Sequence, residues 1–159
     1  MADRTRGYAL RFDVNAAPEE VWRGLIDPAL IAEWYALSAR ISPKEGGSYN
    51  VKLHNGTERE AHIDVFQPPR RLRLIYMPKA TMQSVDGVIV DDFIIEKVGD
   101  VSRICLLGSG FPRNFEFAEM FQKTQNGWAR ALARLKVSTE KRVNPDARPA
   151  AKPTASRGA

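Results

Sequence analysis

Glu60, His62 and Asp64 alternate along one stretch of the chain, which is a spacing that could hold a metal ion. Alternate residues of a β-strand point to the same face, so the three side chains would share one surface. A structural zinc site needs four ligands, and no further His or Cys lies at ligand spacing. We therefore interpret the three as the solvated outer face of a strand whose other face is apolar.

Asp91 and Asp92 are adjacent, so on a strand they face opposite sides and cannot act as a carboxylate pair. The alternation places Asp91 on the apolar face with Phe93 and Ile95. A carboxylate there must find a hydrogen-bond donor or raise its pKa, which makes Asp91 the leading polar candidate for a ligand site. The competing interpretation, which we favour, is an ion pair near the rim of the sheet.

Two other reactive residue types are present, but neither has a partner for catalysis. His54 precedes the Asn55-Gly56 pair of a predicted hairpin turn, where an exposed residue is favoured over an acid or base at the mouth of a cavity. Cys105 has no His near it in the pattern and is expected to be an inert thiol. There is no nucleophile elbow, phosphate loop or dinucleotide fingerprint. We expect no catalytic residue, no metal and no cofactor.

Length and composition indicate one globular domain. The chain has 159 residues, of which 43% are hydrophobic. A lone cysteine excludes an internal disulfide and fits a reducing compartment. The polar start and the lack of a long apolar run argue against a signal peptide or a membrane span. We expect a cytoplasmic protein.

The positive charge is concentrated at the C-terminus. Residues 140–159 hold five basic and two acidic residues, which is +3 of the net charge of +5. The remainder is nearly balanced, which argues against a nucleic-acid partner for the folded part. Residues after Val143 have almost no large apolar side chain. We therefore predict a folded domain over residues 1–143 and a disordered basic tail over residues 144–159.

An amphipathic stretch over residues 117–135 organises the predicted fold. Its apolar residues recur at helical spacing, and Asn114 precedes it as a plausible N-cap. Gly127 in the middle of this helix costs about 1 kcal/mol relative to Ala. Close approach of the helix to the sheet is the favoured compensation, and room for a ligand is the alternative.

The segments before this helix read mostly as strands. Residues 8–14 alternate as a strand, and Pro18 and Asp27-Pro28 begin two short helices. Further strands are predicted at 49–53, 59–66, 72–76, 88–97 and 102–108, with Ala61, Ile63 and Val65 inward and a polar loop at 79–86. Segregated strands and helices indicate an α+β fold, in which a curved antiparallel sheet wraps around the long C-terminal helix. The apolar sheet face should carry Tyr8, Leu10, Phe12, Tyr49, Val51, Ile63, Leu72, Leu74, Phe93, Ile95, Ile104 and Leu106.

Five motifs stand out along the chain: Ala17-Pro18-Glu19-Glu20-Val21-Trp22, Asp27-Pro28 followed by Trp34, Gly46-Gly47-Ser48-Tyr49, Gln67-Pro68-Pro69-Arg70-Arg71-Leu72 and the segment from Gly127-Trp128 to Leu135. Their order and spacing resemble the START-like, helix-grip superfamily, also labelled SRPBCC. Within it, the sequence is most similar to the activator of heat-shock-protein-90 ATPase homologue family. The resemblance implies a sheet of seven strands or fewer around the C-terminal helix, with a cavity between them. No catalytic residue is transferred by it.

Relatives in this superfamily include binders of apolar small molecules, cyclase-like proteins and co-chaperone domains, so the fold does not decide the function. We expect non-enzymatic binding of a small apolar ligand between the sheet and the helix. The expected ligand-binding residues are Trp34, Tyr49, Tyr76, Asp91, Phe93, Phe117, Phe121, Thr124 and Trp128. One alternative is a co-chaperone-like module whose partner is a chaperone or another protein. The other is a cyclase-like enzyme that uses Asp91, Tyr76 or His54.

Overall fold

The computed structural model describes residues 5–76 and 88–146. The strands are β1 (Thr5–Val14), β2 (Ser38–Ile41), β3 (Ser48–Lys52), β4 (Glu58–Gln67), β5 (Arg71–Tyr76), β6 (Val90–Val98) and β7 (Val101–Pro112). The helices are α1 (Pro18–Ile26), α2 (Pro28–Trp34) and α3 (Ala118–Val143), and a 3-10 turn (Phe115–Phe117) precedes α3. The predicted polar loop at 79–86 lies outside the described residues, as does the predicted tail from residue 147 onward.

The strands form one antiparallel sheet in the order β1-β7-β6-β5-β4-β3-β2. The sheet curves around α3, so the predicted α+β helix-grip fold is confirmed. The short edge strand β2 was not predicted, because four residues give too few alternations for a pattern. Strand β7 continues past the predicted end at Gly108, because its last residues pair with Thr5 and Arg6 of β1.

The two short helices begin where the sequence predicts. Pro18 and Pro28 each occupy the first turn, where a missing N–H costs nothing. The carboxylate of Asp27 caps α2, with Oδ1 accepting a hydrogen bond of 3.0 Å from the backbone N–H of Ala29. These helices bring Trp22, Leu25 and Trp34 into the core.

Helix α3 continues past the predicted Leu135 to Val143. Its last turns are held by buried Thr139 and by Arg142, whose Nη2 donates a 2.7 Å hydrogen bond to the backbone oxygen of Glu20. The prediction that Asn114 caps this helix was wrong. Asn114 precedes the 3-10 turn instead, and its side chain makes no capping hydrogen bond.

A bulge in β4 changes which of its side chains face the core. Ile63 pairs with Leu74, but Val65 pairs with Arg73, so the register shifts at Asp64. The prediction that Val65 points inward was therefore wrong. The next residue, Phe66, packs against the core instead, and its ring lies 5.3 Å from that of Trp22.

The expected close packing at Gly127 was also wrong. A Cβ added there would meet no heavy atom within 4 Å among the described residues. Contacts between sheet and helix are made on both sides of Gly127, by Phe121 before it and by the buried Trp128, Ala131, Leu132 and Leu135 after it.

Candidate functional site

Four polar side chains, Tyr35, Arg59, Tyr76 and Asp91, form what we call the Asp91 cluster. Arg59 lies near the start of β4, Tyr76 ends β5 and Asp91 lies near the start of β6. Because neighbouring strands are antiparallel, these positions meet at one end of the sheet, where Ala61 pairs with Tyr76 and Leu74 pairs with Asp91. Tyr35 enters from the residue that ends α2.

The cluster is joined by short polar contacts. Tyr76 Oη donates a 2.6 Å hydrogen bond to Asp91 Oδ2, and Arg59 Nη2 lies 3.8 Å from the same oxygen. Arg59 Nη1 donates a 2.7 Å hydrogen bond to Tyr35 Oη. The guanidinium of Arg59 also lies 4.2 Å from the centre of the Tyr76 ring, a cation–π distance. Asp91 is fully buried.

Burial and mutual charge set the protonation of the cluster. Burial raises the pKa of Asp91, and the neighbouring Arg59 and the Tyr76 hydroxyl oppose that rise. Burial favours a lower pKa for Arg59, but Tyr76, Tyr35 and Asp91 together outweigh it and raise the pKa. Arg59 therefore stays charged. Burial raises the pKa of Tyr76 well above its usual value, so Tyr76 is a neutral donor.

The rings of Trp34 on α2, Phe93 on β6 and Trp128 on α3 cover the cluster, and we call these three rings the aromatic wall. The ring of Trp128 stacks on Tyr35 at 4.6 Å, meets Phe93 edge-on at 5.5 Å and lies 6.3 Å from Trp34. Trp34 Nε1 donates to the backbone oxygen of Gly24 at 2.9 Å. Trp128 Nε1 is buried and has no hydrogen-bond partner among the described residues.

A second aromatic group adjoins the cluster and contains Tyr8, Phe111 and Phe121. The Tyr8 ring lies 5.9 Å from each of the other two rings. Its hydroxyl is buried without a hydrogen-bond partner in the described part of the chain. Burial, and next the charge of Asp91, raise the pKa of Tyr8, which keeps this phenol neutral.

The structure brings five of the nine expected ligand-binding residues together around the cluster: Trp34, Tyr76, Asp91, Phe93 and Trp128. Phe121 belongs to the adjoining aromatic group. Tyr49 is deeply buried, but its hydroxyl already donates to the backbone oxygen of Leu25 at 2.5 Å. Phe117 and Thr124 are half-buried and lie outside the apolar core. Ligand binding by these residues stays a prediction.

The sequence reasoning missed Arg59, the partner of Asp91, and Tyr35, which accepts a hydrogen bond from Arg59. Arg59 shares its strand face with Ala61 and Ile63, so the alternation already placed it inward. The favoured interpretation of Asp91 as part of an ion pair near the sheet rim agrees with its contact with Arg59 at one end of the sheet, although Asp91 is fully buried there.

The other candidate residues lie outside the cluster. His54 is exposed in the hairpin turn, as favoured, and Cys105 is half-buried. Burial raises the pKa of the Cys105 thiol, which disfavours a reactive thiolate. Across residues 5–76 and 88–146, no group of three or more His, Cys, Asp or Glu side chains is arranged to hold a metal. Asp64 lies 3.6 Å from Arg73 instead.

A separate surface groove of about 760 Å³ lies between α2 and the C-terminal half of α3. Its lining includes Glu33, Arg134, Val137, Lys141 and Arg142.

In the part of the chain that the structure describes, no helix is long and apolar enough to cross a membrane.

Solved structures with the same architecture share little sequence with this chain. The protein MLL2253 of Mesorhizobium loti matches with 19% identity and a TM-score of 0.76, over 86% of this chain and 98% of that chain. CalU16 of Micromonospora echinospora matches with 20% identity and a TM-score of 0.69, over 89% and 80%. The Aha1 dimer of Colwellia psychrerythraea matches with 17% identity and a TM-score of 0.71, over 85% and 96%. At these identities the likeness establishes the fold alone.

The sequence itself gives a family assignment. Comparison with curated proteins gives no significant match. A family profile does match residues 15–140, which is most of the chain. The chain therefore belongs to the family described as Activator of Hsp90 ATPase homolog 1-like protein.

Proposed function

We propose that this protein binds a small, largely apolar ligand between the sheet and α3, without catalysing a reaction on it. The polar end of the ligand faces the Asp91 cluster, and the aromatic wall contacts its apolar body. The proposal follows the pattern of ligand sites in general, which are mostly apolar with a few placed polar groups.

One observation carries this proposal. Tyr8 Oη, Asp91 Oδ1 and Trp128 Nε1 are buried, and none has a hydrogen-bond partner among the described residues. Most buried polar atoms in folded proteins are hydrogen-bonded, and an unsatisfied one costs about 1–3 kcal/mol. These three atoms belong to side chains in one apolar interior. A bound molecule that forms hydrogen bonds with them would explain why they are buried without partners in the described part of the chain.

Space and aromatic composition add support. Gly127 precedes Trp128 on α3, and no heavy atom of the described residues lies within 4 Å of where its Cβ would be. This favours the second explanation of the mid-helix glycine, which is room for a ligand. Phe93, Trp34 and Trp128 offer large rigid surfaces for an apolar molecule.

The test begins with native mass spectrometry of the purified protein, which should reveal a bound small molecule. Fatty acids, aromatic polyketides and hydrophobic dyes should then raise the melting temperature, because they bind the folded state only. Thr124→Trp adds a ring at a half-buried position of α3, one helical turn before Trp128, and should abolish the shift by narrowing the space beside the Trp128 ring. Its matched control is Lys123→Trp, on the adjacent exposed position of α3, which should keep the shift. Equal shifts in both variants, or no ligand at all, would refute the proposal.

A protein-interaction function is the second candidate, and the groove between α2 and α3 favours it. Val137 in this groove is 63% exposed, and the same groove is lined by three basic residues, Arg134, Lys141 and Arg142, against one acidic residue, Glu33. An apolar side chain among basic groups suits a partner with an apolar anchor and acidic residues. The family name suggests purified Hsp90 as the probe. Stimulation of its ATP hydrolysis that Val137→Asp removes would support this function, and no stimulation would count against it.

A cyclase-like enzyme ranks third. Tyr76 and Asp91 do lie within hydrogen-bond reach of each other, but His54 is exposed in a turn. Burial raises the pKa of both members of the pair. Tyr76 already donates its proton to the hydrogen bond with Asp91 Oδ2, so within this pair only Asp91 Oδ1 is left to accept a proton from a substrate. His54 and Cys105 lie outside the cluster, so neither of them places a second acid or base beside it.

A further inference from the structure

Two of the unpartnered atoms, Asp91 Oδ1 and Tyr8 Oη, belong to residues in one row across the sheet. Tyr8 of β1 pairs with Gly108 of β7, and Gly108 pairs with Asp91 of β6. Neighbouring strands are about 4.8 Å apart. The backbones of Tyr8 and Asp91 are therefore two strand spacings apart, and the residue between them has no side chain.

Gly108 lets the Tyr8 ring lie over the middle strand. A Cβ added at Gly108 would overlap the ring and would lie 2.7 Å from Tyr8 Oη. The phenol thus extends across β7 in the direction of β6. Phe111 and Phe121 contact the same ring, which limits its other orientations.

The two polar groups face a shared interior but do not satisfy each other. Both residues are buried, with Tyr8 9% exposed and Asp91 0%. The charge of Asp91 contributes to the raised pKa of Tyr8, so the two groups are within electrostatic reach. Among the described residues, neither Oη of Tyr8 nor Oδ1 of Asp91 has a hydrogen-bond partner.

We infer that one hydroxyl group of the ligand, from a phenol, an enol or an alcohol, lies between these atoms, donates to Asp91 Oδ1 and accepts from Tyr8 Oη. The inference rests on the ligand binding proposed above and specifies the chemical class of the ligand. A hydroxyl is suited because it is both a donor and an acceptor. A hydrocarbon would leave both atoms unsatisfied. A carboxylate would add a second buried negative charge beside Asp91, whose charge is already matched by Arg59.

The experiment compares three molecules with the same ring system: 2-naphthol, naphthalene and 2-naphthoate. Their dissociation constants for the full chain are measured by fluorescence titration. We expect 2-naphthol to bind about tenfold or more tightly than the other two, since a hydrogen bond to a charged group commonly contributes that much. Comparable affinities for all three, or tighter binding of 2-naphthoate, would overturn the hydroxyl inference and leave ligand binding intact. Failure of all three to bind would overturn the hydroxyl inference, and ligand binding itself would be refuted only if native mass spectrometry and the melting-temperature screen were negative as well.

Two variants locate the hydroxyl. Tyr8→Phe removes the phenol donor, and Gly108→Ala displaces the ring from its place over β7. Each should lower the preference for 2-naphthol over naphthalene several-fold, while the affinity for naphthalene stays within about twofold. Retained naphthalene binding shows that the variant is folded. A folded Tyr8→Phe protein that keeps the full preference would overturn the inference. If Tyr8→Phe does not fold, Gly108→Ala decides by the same criterion, and circular dichroism checks the fold of both.

Discussion

Arg59 and Asp91 lie on strands that are not neighbours, and their side chains meet across β5 with 3.8 Å between Nη2 and Oδ2. The guanidinium of Arg59 lies 4.2 Å from the centre of the ring of Tyr76, which belongs to the intervening strand β5. Asp91 is fully buried, and the side chain of Arg59 is 21% exposed. Each charge therefore depends on the other for compensation, and the pair links three strands at the end of the sheet where we place the ligand.

Removal of the Arg59 guanidinium should strongly destabilise the folded protein. Arg59→Met should lower the free energy of unfolding by about 3–5 kcal/mol, because it leaves the Asp91 carboxylate buried without a counter-charge. The control is Arg73→Met on β5, whose partner Asp64 lies 3.6 Å away, with side chains 38% and 40% exposed. That surface pair should contribute less than about 1 kcal/mol. Urea unfolding measures both, and equal losses would contradict the assignment of Arg59 as the partner of a buried charge.

The sequence predicted two of the four members of the Asp91 cluster, Tyr76 and Asp91, because alternation along one strand identifies its faces. Asp91 was placed inward in this way, and the same alternation applied to Arg59, next to Ala61 and Ile63. What alternation cannot provide is which strands lie side by side and in which register. The contact between β4 and β6 depends on the whole sheet order, so Arg59 was not recognised as the partner of Asp91.

The errors within the elements have local physical causes. A bulge at Asp64 reverses the faces of β4 after Ile63, and no glycine or proline in the sequence marks it. Helix α3 continues beyond the residues that have clear apolar spacing, because Lys136 forms an ion pair with Glu140 at 2.7 Å and Arg142 donates a hydrogen bond to Glu20 of α1. Predictions that rest on strong periodicity, such as Trp128 in the core, were confirmed.

Trp128 should be a large contributor to stability. It is 3% exposed and contacts the rings of Trp34, Tyr35 and Phe93. Trp128→Ala should lower the free energy of unfolding by about 3–5 kcal/mol, as for other buried aromatic residues. Val137→Ala, at a 63% exposed position of the same helix, is the control and should change it by less than about 0.5 kcal/mol. A Trp128→Ala protein as stable as its parent would show that α3 is not held at this point.

Gly127 and Gly24 form a matched pair of helical glycines with opposite surroundings. A Cβ at Gly127 meets no described heavy atom within 4 Å, whereas one at Gly24 would lie 2.8 Å from Leu135 Cδ1. Gly127→Ala should raise the free energy of unfolding by about 1 kcal/mol through helix propensity. Gly24→Ala should gain none of this, because crowding in the core offsets it. Thermal unfolding of both proteins provides the comparison, and a destabilised Gly127→Ala would show that the space is occupied.

The pH dependence of stability should differ in sign between two aspartates. Burial raises the pKa of Asp91 above its usual 3.8 in the folded protein, so its contribution to stability is present below that value and is lost as the pH rises through the folded-state pKa. The hydrogen bond from Arg103 lowers the pKa of Asp13, so its contribution is present above 3.8 and is lost as the pH falls through the folded-state pKa.

Asn variants separate these two effects. The difference in unfolding free energy between the parent and Asp91→Asn should fall as the pH rises from about 3 to 7, and the difference between the parent and Asp13→Asn should rise over the lower part of that range. The difference between parent and variant cancels the contributions of the other titrating groups. Arg59 keeps its charge throughout this pH range, so its loss of the Asp91 partner changes the size of the difference equally at every pH and leaves the pH dependence unaffected. Urea unfolding at a series of pH values measures both slopes. A difference for Asp91→Asn that increases with pH would mean that Arg59 and Tyr76 outweigh burial, and that the carboxylate enters the fold already ionised.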